Sequence, residues 1–339
     1  MLRIAAFRPG IGVDLGTANT VVYHPQRGLL LDEPSVMVVK TSADERRPEP
    51  VATGALAREM IGRTPTGLSV VRPLQDGVIT DLVAGKSYMV AALKKVKLPV
   101  WERFRVRAVI GLPAGATGLE KQALKEAAEE AGLGHVDLLP EPIAGALGAG
   151  LDPTSPRAQM VVDVGGGTSE ITAFCYGGIL ASRSSRVAGD ELTVALASHL
   201  RQAHQLLIGD LAAEETKKRL TDGGDPCLVV EGRDAGSGRP RSVQLEAEEL
   251  EEALRPTVDA IVCSLTATLA EDLPPQAVSD IMRDGVVAFG GGSLMRGFGC
   301  RVEQALGFRV RVADRPLTCV AEGAAAALDR RDVLKAFAA

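Results

Sequence analysis

Two short segments of this 339-residue chain combine the residue types that bind a phosphorylated nucleotide. VDLGTANT at 13–20 and VDVGGGTS at 162–169 each place an aspartate at the end of an apolar stretch, before a turn that carries Gly and Thr. Glycine lets backbone N–H groups approach phosphate oxygens closely. One such turn is a weak signal, but two with matched acids favour a ligand held between two similar halves. Two ordinary hairpins are the alternative interpretation.

The candidate ligands of the phosphates and their metal fall in these two turns. Mg²⁺ is a hard ion that keeps several waters and takes few carboxylates, and the strand ends would aim Asp14 and Asp163 at it or at its water shell. Backbone N–H groups would come from the turn residues Gly16, Thr17, Ala18 and Asn19, and from Gly165, Gly166, Gly167 and Thr168.

Hydrolysis of a bound triphosphate also needs a group that orients the attacking water. Glu141 directly precedes Pro142 at a predicted strand-to-helix junction, and proline in a first helical turn fixes the entry of the helix. Glu141 could simply cap this Ala- and Gly-rich helix. Beside the paired turns we favour the catalytic role.

Two further segments could contact the nucleoside. The run AFGGGSLMRG at 288–297 follows an apolar strand and could let a base or ribose lie against bare backbone, or it could be a tight turn. On the helix predicted at 212–220, Glu214, Lys217 and Lys218 lie on one face at helical spacing. An intrahelical ion pair is the alternative for these three residues.

The elements that position these residues alternate between strand and helix, which predicts an α/β architecture. Thr117 and Glu120 have the spacing of a capping box, so a helix should begin there, with Gly132 after its end. The turn-rich segment 221–241 predicts an exposed hairpin region, and the acidic run 246–256 a solvated helix. The strands are predicted at 11–14, 20–23, 106–112, 159–164 and 171–176, and the apolar helix face at Leu119, Ala123, Leu124 and Ala127.

Composition excludes several classes of protein. The length favours two domains, and the net charge of -5 with only 3% aromatic residues argues against binding to nucleic acid. Five scattered cysteines predict packed thiols in a reducing compartment rather than disulfides or a zinc site. No stretch approaches the ~18 continuous apolar residues of a membrane span. We therefore expect a cytoplasmic protein.

The order of motifs along the chain resembles one family. The motifs are DLGTANT, DEPSV, RPLQDGVITD, EPIAGALGAGL, VVDVGGGTSE, GDE, LLIGD with EETKK, FGGGSLMRG and PLTCVAEGAA. They are similar to the MreB family of bacterial actins, within the superfamily of actin, sugar-kinase and heat-shock-chaperone ATPases, from about Ile11 to Leu328. DLGTANT with DEPSV and RPLQDGVI is specific to MreB-type proteins, whereas the Gly-rich elements alone indicate only the superfamily.

The resemblance implies an actin-like α/β fold of two domains with duplicated ribonuclease-H-like cores and an interdomain nucleotide cleft. Residues 1–153 with 322–339 would form domain I, and residues 154–321 domain II. ATP and Mg²⁺ would occupy the cleft, and the chain would polymerise under the cytoplasmic membrane, where such filaments guide the cell-wall elongation machinery and maintain rod shape.

The resemblance also assigns residue roles. Asp14 and Asp163 with their turns would form the two phosphate loops, and Glu141 and Thr168 would position the hydrolytic water, with Asp163 in the same catalytic group. The residues assigned to the nucleoside are Gly189, Asp190 and Glu191 near the ribose, Glu214, Lys217 and Lys218 beside the adenosine, and Gly290, Gly291 and Gly292 under the base or ribose.

A membrane anchor is predicted where MreB-like proteins carry a hydrophobic loop. The segment 94–107 holds Leu98, Val100, Trp101 and Phe104 among basic residues. Trp favours the bilayer interface, and Lys and Arg gain roughly 1 kcal/mol each near anionic lipid. The N-terminal MLRIAAFR is a possible second anchor. Burial of the aromatic residues in the domain core is the alternative.

Other functions within the superfamily stay open. A monomeric enzyme such as a small-molecule kinase is one, and a chaperone ATPase is another. The chain offers no sugar-binding acid that we identify, and a kinase would leave DEPSV and RPLQDGVI unexplained.

Overall fold

A computed structural model describes residues 10–41, 48, 50–75, 78–79, 81–98 and 106–337. Within this part the chain divides into two compact units. Unit 1 contains the described residues up to Arg157, the segment Phe174–Ile179 and the described residues from Leu317 onward. Unit 2 contains Ala158–Ala173 and Leu180–Pro316.

Unit 1 is built on a five-stranded sheet with the strand order β10-β9-β1-β2-β3. Its strands β1 to β3 form an antiparallel meander, whereas β9 and β10 run parallel to β1. A three-stranded and a two-stranded sheet accompany it. The strands are β1 (Gly10–Leu15), β2 (Asn19–His24), β3 (Gly28–Pro34), β4 (Met37–Lys40), β5 (Pro50–Thr53), β6 (Leu68–Val71), β7 (Leu74–Gln75), β8 (Val78–Ile79), β9 (Arg107–Leu112) and β10 (His135–Pro140).

Helices cover the large sheet of unit 1. The described helices are α1 (Ala55–Glu59), α2 (Leu82–Lys95), α3 (Gly118–Glu130), α4 (Glu141–Gly148), α10 (Cys319–Ala327) and α11 (Arg331–Ala336). Helix α10 approaches α4 so closely that a Cβ at Gly323 would lie 1.7 Å from the carbonyl oxygen of Ala144. The Ala- and Gly-rich sequences of both helices are therefore explained by backbone-to-backbone packing.

Unit 2 repeats this architecture. Its five-stranded sheet has the order β13-β12-β11-β17-β18, with β11, β17 and β18 parallel. The strands are β11 (Gln159–Val164), β12 (Ser169–Cys175), β13 (Gly178–Ser185), β17 (Val286–Phe289) and β18 (Val310–Val312), and a smaller antiparallel sheet contains β14 (Leu206–Leu207), β15 (Cys227–Asp234) and β16 (Pro240–Glu246).

The helices of unit 2 lie between these strands in the sequence. They are α5 (Gly189–His204), α6 (Asp210–Arg219), α7 (Ala247–Ala267), α8 (Pro275–Asp284) and α9 (Phe298–Leu306), with a π-helical turn at Thr268–Asp272 and a 3₁₀ turn at Gly291–Leu294.

The two large sheets share one connectivity. In each, the first, second and third strands of the sheet follow one another in space, and the fourth and fifth lie on the other side of the first. The internal repeat predicted from VDLGTANT and VDVGGGTS therefore extends to the whole sheet. Asp14 and Asp163 are each the second-to-last residue of the central strand of their sheet.

Most local predictions are confirmed, but the buried face predicted for α3 is wrong at Leu119. The capping box of Thr117 and Glu120 is present at the start of α3. Leu119 is 65% exposed and does not belong to the buried face of that helix, which contains Leu124, Ala127 and Ala128. The reason is angular, because five residues at 3.6 per turn place Leu119 about 140° from Leu124.

The thiol prediction is also partly wrong. None of the five cysteines, all of which the structure describes, forms a disulfide, but Cys263 and Cys300 are exposed rather than packed. The hairpin predicted at 221–241 is confirmed, with strands longer than the short apolar segment indicated. No helix in the described ranges is long and apolar enough to cross a bilayer.

Candidate functional site

Asp14 lies near the carboxyl end of β1, where the sheet of unit 1 meets the first Gly-bearing turn. Its register partner on β2 is Val21, and Val21 in turn pairs with Asp32 on β3. Asp14 is half-buried as a residue, and burial of its carboxyl group together with the negative charge of Asp32 raises its pKa from 3.8 to about 7. A carboxylate in this position is therefore stabilised by a cation, which fits a metal ligand.

The first turn is held by the segment that follows β3. Ser35 Oγ donates to the carbonyl oxygen of Gly16 at 2.6 Å, and the Ser35 N–H donates to the carbonyl of Ala18 at 2.8 Å. The Ser35 hydroxyl lies 3.0 Å from that of Thr20, which lies 2.8 Å from the Tyr88 hydroxyl of α2. This buried cluster of hydroxyl groups therefore fixes the backbone of the turn.

The predicted phosphate-binding residues of this turn differ in exposure. Thr17 is buried, whereas Ala18 and Asn19 are exposed. The side-chain amide of Asn19 donates to Asp32 Oδ1 at 2.7 Å. Asp32 thus contacts the turn directly, in addition to its effect on the pKa of Asp14.

Glu141 lies at the same edge of the sheet as Asp14. It is the first residue of α4 and follows β10 directly, while β1, β9 and β10 run parallel, so their carboxyl ends meet at one edge. A Cβ at Gly111 of β9 would lie 3.2 Å from Glu141 Cγ, so the glutamate side chain lies against the strand backbone. The proline at the second helical position, Pro142, is where the sequence predicted it.

Asp163 occupies the equivalent position in unit 2. It pairs with Phe289 of β17 and precedes the second Gly-rich turn, in which the N–H of Gly165 donates to the carbonyl of Thr168 at 2.9 Å. Asp163 and Thr168 are half-buried, and Gly167 is buried. Both acid-turn pairs are therefore formed within their own units.

The start of α5 lies against the second turn. The N–H of Gly189 donates to the carbonyl of Gly165 at 3.1 Å, and the N–H of Asp190 donates to the carbonyl of Gly166 at 2.7 Å. Glu191 accepts from the N–H of Ala188 at 2.8 Å. The GDE motif therefore supports the turn through its backbone.

Helix α6 contacts the same region through Lys217. Its Nζ donates to the carbonyl of Gly189 at 2.6 Å and to Thr193 Oγ1 at 2.8 Å. Lys218 forms an ion pair with Glu214 at 2.7 Å, so the ion pair that was the alternative explanation exists. Lys217 thus contacts the start of α5, while Lys218 pairs with Glu214 on α6.

The third Gly-rich segment also packs on the Asp163 strand. Gly290 has φ of +81°, and a Cβ there would lie 2.5 Å from Asp163 Oδ1. Only glycine fits at this position. Gly292 is buried against Val164, and Ser293 Oγ donates to the carbonyl of Gly290 at 2.7 Å. In unit 2 the predicted segments around Gly165, Gly189 and Gly290 therefore form one cluster.

The predicted membrane residues have a different outcome. Leu98 is 8% exposed and belongs to the hydrophobic core of unit 1, so its assignment to a lipid-facing loop is wrong. The physical reason is that this side chain packs in one core cluster with Val96, Val106 and Ala108. Val100, Trp101 and Phe104 lie outside the described residues, as does the N-terminal segment 1–8.

Sequence reasoning missed the residues that support the first turn. Ser35, Thr20 and Tyr88 carry no catalytic signature, and Tyr88 is 68 positions from Thr20. The one available signal was DEPSV, which stood only as a family motif and contains both Asp32 and Ser35.

The chain is similar to known proteins over nearly its whole length. The MreB/Mbl protein family matches residues 8–336. The chain is 36% identical to the cell shape-determining protein MreB of Escherichia coli (strain K12) over 331 residues, which cover 96% of this chain and 95% of that protein.

Solved structures share the fold. MreB5 of Spiroplasma citri bound to AMPPNP is similar with a TM-score of 0.86 and 31% identity, covering 96% of this chain and 97% of that one. The MamK double helical filament has the same fold, with a TM-score of 0.75 and 23% identity over 95% of this chain and 99% of that one. The predicted actin-like α/β fold is confirmed, and the chain belongs to the MreB/Mbl family of bacterial actin homologues.

Proposed function

We propose that this protein binds and hydrolyses ATP with Mg²⁺ and polymerises into filaments that organise cell-wall synthesis and maintain rod shape. The observation that carries the proposal is the pair of acid-turn loops on the central strands of two sheets with one connectivity. Membership of a family with a cell shape-determining relative, and a relative bound to AMPPNP, support it.

In this proposal the chain has two actin-like domains, 1–153 with 322–339 and 154–321, and each would bind the phosphates of the nucleotide through its own acid-turn loop. The donor set fits the ligand, because each unit offers a carboxylate at a strand end beside a Gly-bearing turn. Asp14 and Asp163 would hold Mg²⁺ or its water shell, and the ion would neutralise charge on the phosphate oxygens during transfer.

The remaining roles belong to side chains and loops of the chain itself. Glu141 and Thr168 would orient the attacking water, with Asp163 beside them. Backbone N–H groups of the turns Gly16–Asn19 and Gly165–Thr168 would bind the phosphates. Glu214, Lys217 and Lys218, Gly189 to Glu191 and Gly290 to Gly292 would surround the nucleoside, because the last two segments already pack on the second turn.

The partners that we propose are other copies of this chain, the inner surface of the cytoplasmic membrane and the cell-wall elongation machinery. The protein would be cytoplasmic and membrane-associated. With Leu98 in the core, Val100, Trp101 and Phe104 are the membrane contacts that remain in the proposal. Many copies in a filament would add their weak lipid affinities.

Sedimentation and electron microscopy of the purified chain with Mg-ATP test this function, alongside release of inorganic phosphate without any added acceptor. We expect filaments in the pellet, phosphate release, and loss of both when EDTA removes the metal. A chain that stays in the supernatant and forms ADP only when a small-molecule acceptor is supplied would instead be a non-polymerising kinase of the same superfamily.

A further inference from the structure

Two histidines and a glutamate of unit 2 converge on one point away from the Gly-rich turns. His199 and His204 lie in the last two turns of α5, and Glu249 lies in the first turn of α7. His199 Nε2 is 2.8 Å from Glu249 Oε1, and His204 Nε2 is 2.5 Å from the same oxygen. Three side chains from two helices therefore direct their ligand atoms at one another.

The geometry of this trio matches that of metal ligands. One ligand atom from each of the three residues lies within 4.8 Å of the others. Among the described His, Cys, Asp and Glu residues, these three form the group that meets this distance. The imidazole rings are edge to face, with centroids 5.7 Å apart. Two imidazole nitrogens and a carboxylate oxygen form a donor set for a borderline divalent transition ion, with a fourth position left for water.

The surroundings hold the trio in place and complement its charges. The side chains of His199, His204 and Glu249 are 24%, 23% and 37% exposed, which restrains them and leaves a path for an ion. The histidines end a helix, where the macrodipole favours a cation, and Glu249 begins one, where it favours an anion.

The backbone next to the trio is also fixed. Gln205 adopts a left-handed conformation with φ of 52°, which ends α5 directly after His204. Arg241 donates to the carbonyl oxygen of His204 at 2.9 Å and to Asp234 Oδ2 at 3.1 Å. The backbone that carries the His204 side chain is therefore held in place without the ion.

We propose that His199, His204 and Glu249 bind a divalent transition-metal ion of the Zn²⁺ class. This site is separate from the proposed Mg²⁺ site, because α5 places roughly 22 Å between its first residue, Gly189, beside the second turn, and His204 at its end. The ion would cross-link the end of α5 to the start of α7. Imidazole ligands select against Mg²⁺, which prefers oxygen donors.

Titration of the metal-stripped full chain with ZnCl₂, followed by calorimetry, tests the proposal. Exposed thiols such as those of Cys263 and Cys300 are competing ligands for zinc, so both are changed to Ser in every protein tested. We expect one Zn²⁺ per chain, unaffected by a thousandfold excess of Mg²⁺. His204→Gln and Glu249→Gln should each weaken binding at least tenfold, whereas the matched control His135→Gln, at an exposed histidine of unit 1, should bind like the parent.

A second measurement uses only the parent chain, which carries Cys263→Ser and Cys300→Ser and keeps all three proposed ligands. It does not depend on whether the ligand variants fold. Co²⁺ added to the Cys263→Ser, Cys300→Ser chain should give visible d–d absorption of a four-coordinate site without a thiolate charge-transfer band. That spectrum should disappear when one equivalent of Zn²⁺ is added. Absence of Zn²⁺ binding and of this spectrum, or binding that both ligand variants leave intact, would overturn the proposal.

Discussion

Asp14 and Asp32 lie in one cross-strand row of the unit 1 sheet, because Val21 on the strand between them is the register partner of both. Directly paired residues point to the same face of a sheet, so the two carboxyl groups share a face. Their repulsion adds to burial in raising the pKa of Asp14. The first residue of the DEPSV motif thus acts on the proposed metal ligand.

The raised pKa of Asp14 predicts a pH dependence of the apoprotein. A carboxyl group with a pKa of about 7 in the folded chain, against 3.8 as its ordinary value, holds its proton more tightly when folded. Its contribution to stability is therefore complete below about pH 4 and is lost as the pH rises through 7. We expect Asp14→Asn to be more stable than the wild type at pH 8, by an amount of the order of 2–4 kcal/mol.

Thermal unfolding in the absence of nucleotide and metal, between pH 5 and pH 8, measures this effect. The wild type should lose stability across this range, and Asp14→Asn should lose less. Asp329→Asn removes an exposed carboxyl group of the same unit and is the matched control, with a profile like that of the wild type. Parallel profiles for wild type and Asp14→Asn would show that Asp14 is not the titrating group.

Ser35 should position the first turn for nucleotide. Its hydroxyl donates to the carbonyl oxygen of Gly16 at 2.6 Å in a buried cluster, and a hydrogen bond of this kind contributes about 1 kcal/mol. We expect Ser35→Ala to weaken Mg-ATP binding roughly fivefold to tenfold while the chain stays folded.

Equilibrium binding of Mg-ATP, with a circular dichroism spectrum of each protein, checks this prediction. Ser237→Ala, in an exposed turn of unit 2, is the matched control and should bind like the wild type. If Ser35→Ala binds Mg-ATP with wild-type affinity, the cluster behind the turn is only part of the core.

Glu141 should act in hydrolysis and not in binding. Glu141→Gln keeps the shape of a side chain that lies against Gly111 but removes its charge. We expect Mg-ATP affinity to change little and phosphate release to slow by ~10²-fold or more, the usual contribution of a group that positions or activates a nucleophile. Filaments should then persist longer after assembly.

Single-turnover phosphate release measures the effect of Glu141→Gln. The control is Glu129→Gln on the exposed face of α3 in the same unit, which should hydrolyse ATP like the wild type. If Glu141→Gln hydrolyses ATP at the wild-type rate, Glu141 has no catalytic role and is only the first residue of α4.

The close approach of α10 to α4 predicts a large cost for a small change. A methyl group at Gly323 would lie 1.7 Å from the carbonyl oxygen of Ala144, so the two helices must separate. We expect Gly323→Ala to lower the free energy of unfolding by at least the ~1–3 kcal/mol of ordinary overpacking.

Chemical denaturation measures this loss. The control is Gly118→Ala at the start of α3, where a Cβ would meet nothing within 4 Å and where alanine is the better helix former. Gly118→Ala should therefore be neutral or stabilising. Equal stability of Gly323→Ala and the wild type would mean that the helices are not packed as the structure has them.

The sequence could predict what depends on neighbours along the chain. Strand periodicity, the capping box at Thr117 and the two acid-turn segments are local patterns, and the structure contains them. The prediction of the buried face of α3 was wrong at Leu119, because several apolar residues at helical spacing do not specify which side of the helix faces the sheet. The assignment of Leu98 to a membrane anchor was wrong, because hydrophobic residues next to basic ones occur both at the edge of a core and in membrane anchors.

Contacts between distant segments could not be predicted in the same way. The cluster of Ser35, Thr20 and Tyr88 joins a strand, a loop and a helix, and the trio around Glu249 joins residues 45 to 50 positions apart. Such side chains carry no local signature, because their partners are brought close only by the packing of elements that are distant in the sequence.

The central claim of the proposed function is that both acid-turn loops contribute to binding of Mg-nucleotide. Calorimetric titration of Mg-ATP into the wild type, Asp14→Ala and Asp163→Ala tests it directly, with circular dichroism to establish that each variant is folded. We predict one ATP per chain for the wild type and loss of measurable binding in each variant, because each aspartate is a proposed ligand of the ion that neutralises the triphosphate. Unchanged affinity in both folded variants would contradict the claim.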